Sequence, residues 1–364
     1  MRVGRYNEAM THLPELFRHF PELRERLPWT PLARATSVHP LERLESYVHG
    51  PSIWIKRDDR TSEVYGGGKA RKLEFLFGDV LRRGARRVLA FGSVGSSDCL
   101  AITAFARRFK LRTILALARG SDSAQVQRTL QLEHELGAEL HRIDSGVGAV
   151  WRLIRACTSG PVEDGGARLP YAIWPRRAAL FGTLGFVNAA FELKRQINCG
   201  ILPEPQRIYV GAFSGASVAG LALGCALAGI NTQLVGAVAR AQRPAQPLRL
   251  ARRAARHLSD RARDFPKVRI EAPAIELRRL GSDRATQSAP HQAQGLLRDL
   301  ENLDLDAVYT APAMAALLDD CRNNRVQGPI LFWHTHAPDA LRQPTRIDAE
   351  ALPREFHEFF LTSA

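Results

Sequence analysis

From Ser52 onward, short apolar runs alternate with longer stretches whose apolar residues recur three and four positions apart. The runs Ser52–Arg57, Arg87–Phe91, Arg112–Ala118, Glu139–Ile143, Tyr171–Trp174, Arg207–Ala212, Gln233–Ala239 and Pro329–Trp333 predict strands. Between them, Ala70–Arg83 carries Leu73, Phe77 and Val80–Leu81 on one helical face. Ser97–Phe109, Ala124–Leu136, Phe181–Asn198, Ser217–Ala228, His291–Asn302 and Met314–Asn323 also read as helices. Strands alternating with helices of this length predict an α/β fold with mainly parallel sheets. The first fifty residues, punctuated by Pro14, Pro21, Pro28, Pro31 and Pro40, read as irregular.

Composition adds bounds. A chain of 364 residues, 45% apolar, has material for two domains or one large one. The net charge of +14 comes from arginine, scattered in pairs such as Arg82-Arg83 and Arg107-Arg108. No block of five like charges and no aromatic interleaving accompanies it, which argues against nucleic acid as a partner. Five widely spaced cysteines (Cys99, Cys157, Cys199, Cys225, Cys321) form neither metal-ligand pairs nor a disulfide framework. With no apolar leader at the amino end, the expectation is a cytoplasmic protein. The stretch from Ile208 to Ala239 is uncharged but broken by glycines, and reads as strand, loop, buried helix and strand rather than as a membrane span.

In a parallel α/β fold, ligands gather at loops following the carboxyl ends of strands. Such loops are Gly66–Lys69, Gly92–Asp98, Phe213–Ser217 and His334–His336, with Tyr309-Thr310 in a loop before a helix. Lys69 stands in Tyr65-Gly66-Gly67-Gly68-Lys69-Ala70-Arg71-Lys72, within a chain of six lysines against forty-five arginines. An amine can lose its proton and form an imine with an aldehyde, whereas a guanidinium cannot. Ser214, Gly215, Ala216 and Ser217 open a helix with small residues and hydroxyls, which suits a phosphate and equally suits an ordinary capped turn. Ser96, Ser97 and Asp98 repeat the arrangement one unit earlier and could hold a carboxylate or simply cap their helix. A reactive lysine with an anion cradle on either side points to pyridoxal phosphate and an amino-acid substrate.

The runs Ile55-Lys56-Arg57-Asp58-Asp59 and Gly67-Gly68-Lys69-Ala70-Arg71-Lys72-Leu73-Glu74 closely resemble the pyridoxal-phosphate enzymes of the D-cysteine desulfhydrase and 1-aminocyclopropane-1-carboxylate deaminase family. Leu184-Gly185-Phe186-Val187, Leu305-Asp306-Ala307-Val308-Tyr309-Thr310 and Ile330-Leu331-Phe332-Trp333-His334-Thr335 extend the likeness over roughly Leu27 to Leu341. The resemblance implies a tryptophan-synthase-like fold (type II), with two open twisted sheets. A larger cofactor-binding domain would comprise residues 1–71 and 172–364, and a smaller domain residues 72–171. It implies a homodimer. It also implies that Lys69 is the Schiff-base lysine and general base, and that Ser96 belongs to the substrate-carboxylate loop. Residues Ser214 to Ser217 would form the phosphate loop, Tyr309 would be the active-site tyrosine, and Thr310 would face the pyridine nitrogen. The chain departs from the family at Gly95-Ser96-Ser97-Asp98, at Phe213-Ser214-Gly215-Ala216-Ser217, at Arg176-Arg177-Ala178 and at Thr335-His336-Ala337. His336 thereby brings a titrating group to the mouth of the pocket. The implied activity is β-elimination and deamination of a small amino acid, because a neutral threonine, not a carboxylate, follows the tyrosine. β-Replacement or another amino-acid transformation is an alternative, as is a non-catalytic relative that uses the cleft for binding.

Overall fold

The computed structural model describes residues 13–120, 123–143, 147–158, 169–212, 214–238, 245–268, 274–279, 288–336 and 349–360. Helices α1 (Glu15–His19) and α2 (Leu23–Arg26) lead to strand β1 (Val38–Pro40), α3 (Glu42–Val48) and β2 (Ile53–Lys56). The opening segment therefore holds regular elements where prolines led us to expect none. Pro14 caps α1 and Pro40 ends an edge strand, positions at which a missing N–H costs little. The chain continues through α4 (Gly68–Arg82), β3 (Arg87–Ser93), α5 (Ser97–Arg108), β4 (Arg112–Ala118) and α6 (Ala124–Glu135). Next come β5 (Glu139–Arg142), α7 (Val147–Thr158), β6 (Tyr171–Ile173) and α8 (Pro175–Asn198). β7 (Arg207–Gly211), α9 (Ala216–Ala228), β8 (Gln233–Val238), α10 (Ala245–Ser259) and β9 (Ile275–Arg279) follow. The last elements are α11 (Ala289–Glu301), α12 (Thr310–Arg322), β10 (Ile330–Trp333) and a 3-10 segment at Arg354–Phe360. Sequence periodicity missed α7, α10 and β9. It also started α8 six residues late, although Pro175 is well placed at a first helical position.

Two compact units result, one from Met1–Leu76 with Ala179–Pro338 and one from Phe77–Ala178 with Asp339–Ala364. The first is built on a six-stranded sheet in the order β1-β2-β10-β7-β8-β9, parallel throughout except for the β1–β2 pair. β10 lies in the middle and is wholly buried, which explains its unbroken apolar sequence Ile-Leu-Phe-Trp. Its Trp333 pairs with Lys56 of β2 and with Val210 of β7, so three strands end side by side. The loops that follow these three ends carry Lys69, His334–His336 and Ser214–Ser217. Helix α9, uncharged, is buried along residues 216–225, as expected for a core helix. Among the described residues no helix is long and apolar enough to cross a membrane.

The second unit carries a parallel four-stranded sheet ordered β5-β4-β3-β6. The 3-10 segment docks here through buried Phe356 and Phe359. The Gln127 side chain donates to the Phe359 carbonyl at 2.8 Å, and Arg142 bonds the Glu358 carboxylate at 2.6 Å. Arg177, one of the paired arginines in the first turn of α8, is committed inside this unit. It lies over the Tyr171 ring and donates to the Tyr171 hydroxyl at 3.1 Å, while that hydroxyl donates to buried Asp79 at 2.7 Å. Burial together with the Asp79 hydrogen bond pushes the Tyr171 phenol up to about 12.

On α6, Glu133 is fully buried, and neither carboxyl oxygen has a hydrogen-bond partner among the described residues. Burial pushes its pKa well above the ordinary 4.5. A raised folded-state value stabilises the fold below the unfolded pKa and less as pH rises through the folded one. Glu133→Gln removes that titration. The melting-temperature gain of the variant over the wild type should therefore widen from about pH 5 to pH 8 in thermal scans. A gain that is constant across this range would contradict the assignment.

Candidate active site

The Lys-Arg-Asp-Asp run has a structural purpose that the sequence did not reveal. Lys56 at the end of β2, Asp58 just beyond it, Arg71 in the first turns of α4 and Glu192 in α8 are all buried, at 0%, 0%, 1% and 4% exposure. Arg71 grips Asp58 through Nε at 2.7 Å and Nη2 at 2.8 Å, and reaches Glu192 through Nη1 at 2.9 Å. The Lys56 ammonium bonds Glu192 and the Thr36 carbonyl, and the Trp333 indole N–H donates to Asp58 at 2.6 Å. Two cations and two anions thus satisfy one another away from water. Burial alone would raise the Glu192 carboxyl, but Arg71 and Lys56 hold it down at about 2.

Arg71 is two residues beyond Lys69, so the quartet fixes where α4 starts. The lysine loop is further pinned by the Thr61 hydroxyl, which donates to the Gly67 carbonyl at 2.7 Å, and by the Gly68 N–H, which donates to the Thr335 carbonyl at 3.1 Å. Helix α8 crosses so near that a side chain at Gly185 would collide with the Arg71 carbonyl oxygen, so only glycine fits. Lys69 is half-buried in the opening turn of α4.

The same stretch of α8 locates the second loop. A Cβ at Gly182 would lie 3.2 Å from the Lys72 side chain and 3.7 Å from Ala216, so the starts of α4 and α9 flank one turn of α8. Gly215 caps α9 with φ of 77°, a left-handed conformation that favours glycine. The first-turn amides of α9 have no intrahelical acceptor and carry the positive end of the helix dipole. Ser214 Oγ accepts from the Ala216 N–H at 3.4 Å, which leaves its own proton to donate. Ser217, by contrast, spends its proton on the Gly211 carbonyl at 3.2 Å and offers only its backbone N–H. Phe213 and Ala337 lie outside the described residues.

Tyr309 closes this edge. Its backbone abuts Gly211, where a Cβ would meet the Tyr309 carbonyl oxygen at 2.9 Å. The expectation that Thr310 faces a ring nitrogen meets a different geometry. Thr310 is fully buried in the first turn of α12; its hydroxyl donates to the Asp306 carboxylate at 2.6 Å and accepts from the Asp306 N–H at 2.8 Å. Thr335 is the half-buried hydroxyl residue of this rim, packed against Gly68. Beside it, His334 is 2% exposed, its Nδ1 has no hydrogen-bond partner among the described residues, and burial drives its pKa down to about 4, so it is neutral. His336 is half-buried, its Nδ1 3.9 Å from Asp306 Oδ2.

The first unit therefore brings together Lys69, Ser214–Ser217, Tyr309 and His336. Ser96, Ser97 and Asp98 belong to the second unit. There Ser96 caps α5, its Oγ accepting from the Cys99 N–H at 3.3 Å, and Asp98 sits in the first turn, where the helix dipole favours an anion.

A family described as "Pyridoxal-phosphate dependent enzyme" matches residues 29–336. The chain belongs to this family. A D-cysteine desulfhydrase of Yersinia enterocolitica is 30% identical over 326 residues, covering 85% of this chain and 93% of the relative. One from Klebsiella pneumoniae is 31% identical over 327 residues, covering 84% and 92%. A crystal structure of an ACC (1-aminocyclopropane-1-carboxylate) deaminase homologue superimposes with a TM-score of 0.72 at 27% identity, covering 90% of this chain and 96% of that one. The fold is that of type II pyridoxal-phosphate enzymes, with two mainly parallel sheets flanked by helices. A pyridoxal-phosphate enzyme needs an amine for the aldehyde and donors for the phosphate. The first-unit loops offer both, with the glycine-capped amino end of α9 suited to a phosphate dianion.

Removing Arg71 leaves two buried carboxylates without their main cation. Arg71→Met should lower unfolding free energy by about 3–5 kcal/mol in urea titrations. Glu192, depressed to about 2 from the ordinary 4.5, contributes stability above pH 4.5 that fades as pH falls toward 2. The acid-side loss should accordingly shrink in the variant.

Proposed function

We propose that the chain catalyses β-elimination and deamination of a small amino acid, in the manner of D-cysteine desulfhydrase, with Lys69 as the residue that binds the cofactor aldehyde. The observation carrying this reading is the junction at α8, where the lysine loop and the anion-binding start of α9 meet within one helical turn. Both relatives quoted above are named D-cysteine desulfhydrase, which favours a lyase or deaminase reaction.

The amides of Gly215 to Ser217 and the Ser214 hydroxyl would hold the phosphate. The Thr335 hydroxyl, rather than that of Thr310, would stand beside the pyridine nitrogen, with Thr310 acting indirectly by anchoring Asp306. Ser96, with the amides of Ser97 and Asp98, would receive the substrate carboxylate. When bound, pyridoxal phosphate supplies an electron-accepting ring conjugated to the substrate Cα. Lys69, displaced by the substrate amine, would take the proton from Cα. Tyr309 would pass a proton to the departing β-substituent. Loss of hydrogen sulfide from cysteine in this way, followed by water addition and loss of ammonia, gives pyruvate. The assembly we propose is a homodimer, as the family resemblance implies, in the reducing cytoplasm that the scattered, unpaired cysteines suit.

Purified protein reconstituted with pyridoxal phosphate should show the visible absorption of a lysine-bound pyridoxal group and release sulfide and pyruvate from one enantiomer of cysteine. Lys69→Ala should lose both signals while keeping its far-ultraviolet circular dichroism. Wild type that stays colourless with added cofactor would overturn the proposal.

A further inference from the structure

Two glycines show how closely the loop between β3 and α5 is held. Gly95 has a φ of 81°, in the left-handed region, and a Cβ there would lie 2.7 Å from Val126 Cγ2. A Cβ at Gly120 would lie 2.6 Å from the Val94 carbonyl oxygen, and the Val94 N–H donates to the Ala118 carbonyl at 2.9 Å. The loop therefore touches both the segment leaving β4 and the first turn of α6. At its far end Ser96 Oγ accepts from the Cys99 N–H, which leaves the hydroxyl proton to donate.

Val126 is the third residue of α6, in the turn whose amides lack intrahelical acceptors and where helices fray. Ser123 caps this turn, its Oγ accepting from the Val126 N–H at 3.3 Å. The next residue, Gln127, donates through Nε2 to the carbonyl of Phe359, 232 positions later in the chain. Phe359 belongs to the 3-10 segment Arg354–Phe360, which is seated by two fully buried rings, Phe356 and Phe359. Arg142, at the end of β5, holds the same segment. Its backbone N–H donates to the Glu355 carboxylate at 3.0 Å, and its guanidinium donates to the Glu355 carbonyl at 3.1 Å and lies over the Phe359 ring. Anchored to the sheet through β5, the segment ties down the turn of α6 that touches Gly95. A shift of that turn passes directly to the loop, because Val126 and Gly95 are already at contact distance.

We propose that the 354–360 segment is a positioning strap for substrate binding. It holds Val126 against Gly95 and so aims the Ser96 hydroxyl and the Ser97 and Asp98 amides at the α-carboxylate of the amino acid. This rests on the reading of that loop given above. The test titrates holoenzyme with alanine, in both enantiomers, and with ethylamine, which lacks the carboxylate, following the visible spectrum of the bound cofactor. Neither ligand carries a β-substituent to expel, so binding is read without elimination. In Phe359→Ala the half-saturating concentration of alanine should rise about tenfold, roughly the loss of one hydrogen bond to a charged group, while that of ethylamine stays within about twofold. Gln127→Ala, which removes one hydrogen bond and no buried ring, should give a smaller loss of the same kind and decides the matter if Phe359→Ala does not fold. Val126→Ala should reproduce the loss for alanine alone. Equal losses for alanine and ethylamine would overturn the proposal, since the segment would then serve only the general stability of its unit. Unchanged alanine affinity in Val126→Ala or in Gln127→Ala would also overturn it. Wild type that takes up no cofactor, or whose spectrum no amine moves, counts instead against the functional reading on which this inference depends.

Discussion

Four charged side chains without access to water must solve a geometric problem before anything else in the first unit can be placed. Lys56, Asp58, Arg71 and Glu192 come from three well-separated stretches of sequence, and each is costly to bury without its partners. Their mutual satisfaction, with the Thr36 carbonyl and Trp333 indole filling remaining positions, requires β2, the start of α4, α8 and the end of β10 to converge. Clusters of this kind add little net stability compared with a well-packed apolar core. Their consequence is arrangement. Because Arg71 bonds both acids, the backbone two residues earlier is held, and with it Lys69, the lysine proposed to bind the cofactor.

Small residues turn that fixed point into a site. Where Gly185 admits the Arg71 carbonyl, Gly220 admits α8 against α9, whose added side chain would otherwise meet Phe186 Cβ at 2.5 Å. α8 is therefore a spine with the lysine loop on one side and the start of α9 on the other. The parallel sheet provides the third constraint. With Lys56, Trp333 and Val210 in register, the loops leaving β2, β10 and β7 emerge at one level. Apart from the left-handed turns at Gly67 and Gly215, neighbouring elements decide where these loops lie.

Much of this was legible in the chain. The strand and helix alternation from residue 52 to 333 was read with boundaries shifted by up to six residues, apart from α7, α10 and β9, because apolar periodicity is strong along most of it. It was not legible in the opening segment, where helices of four to seven residues are too short to show a period. Lys69 stands out as a candidate because a lysine in a glycine loop is conspicuous among so many arginines. The burial of Lys56 and Arg71 was not found, because their partner Glu192 is more than a hundred residues away and a charged run ordinarily reads as solvated. Arg177, Thr310 and Thr335 make the same point on a smaller scale. Each has chemistry that a site could use, and only its contacts decide. Arg177 is spent on Tyr171 and Asp79, Thr310 on Asp306, and Thr335 abuts the lysine loop.

The same accounting of contacts explains how a rim containing several carboxylates can suit anionic ligands. Asp58 and Glu192 are neutralised within the quartet, Asp59 is paired with Arg57, and Asp306 is capped by the amino end of α12. Each of these acids accepts hydrogen bonds from groups of the first unit, so its field toward the loops is reduced by nearby positive charge or dipole. The amino end of α9 keeps its dipole for an incoming anion, because its cap is a glycine and contributes no acid of its own. A cofactor that arrives with a doubly charged phosphate needs this condition. The acids of the first unit therefore serve the site by being consumed elsewhere, and the fold that consumes them is the one that positions Lys69.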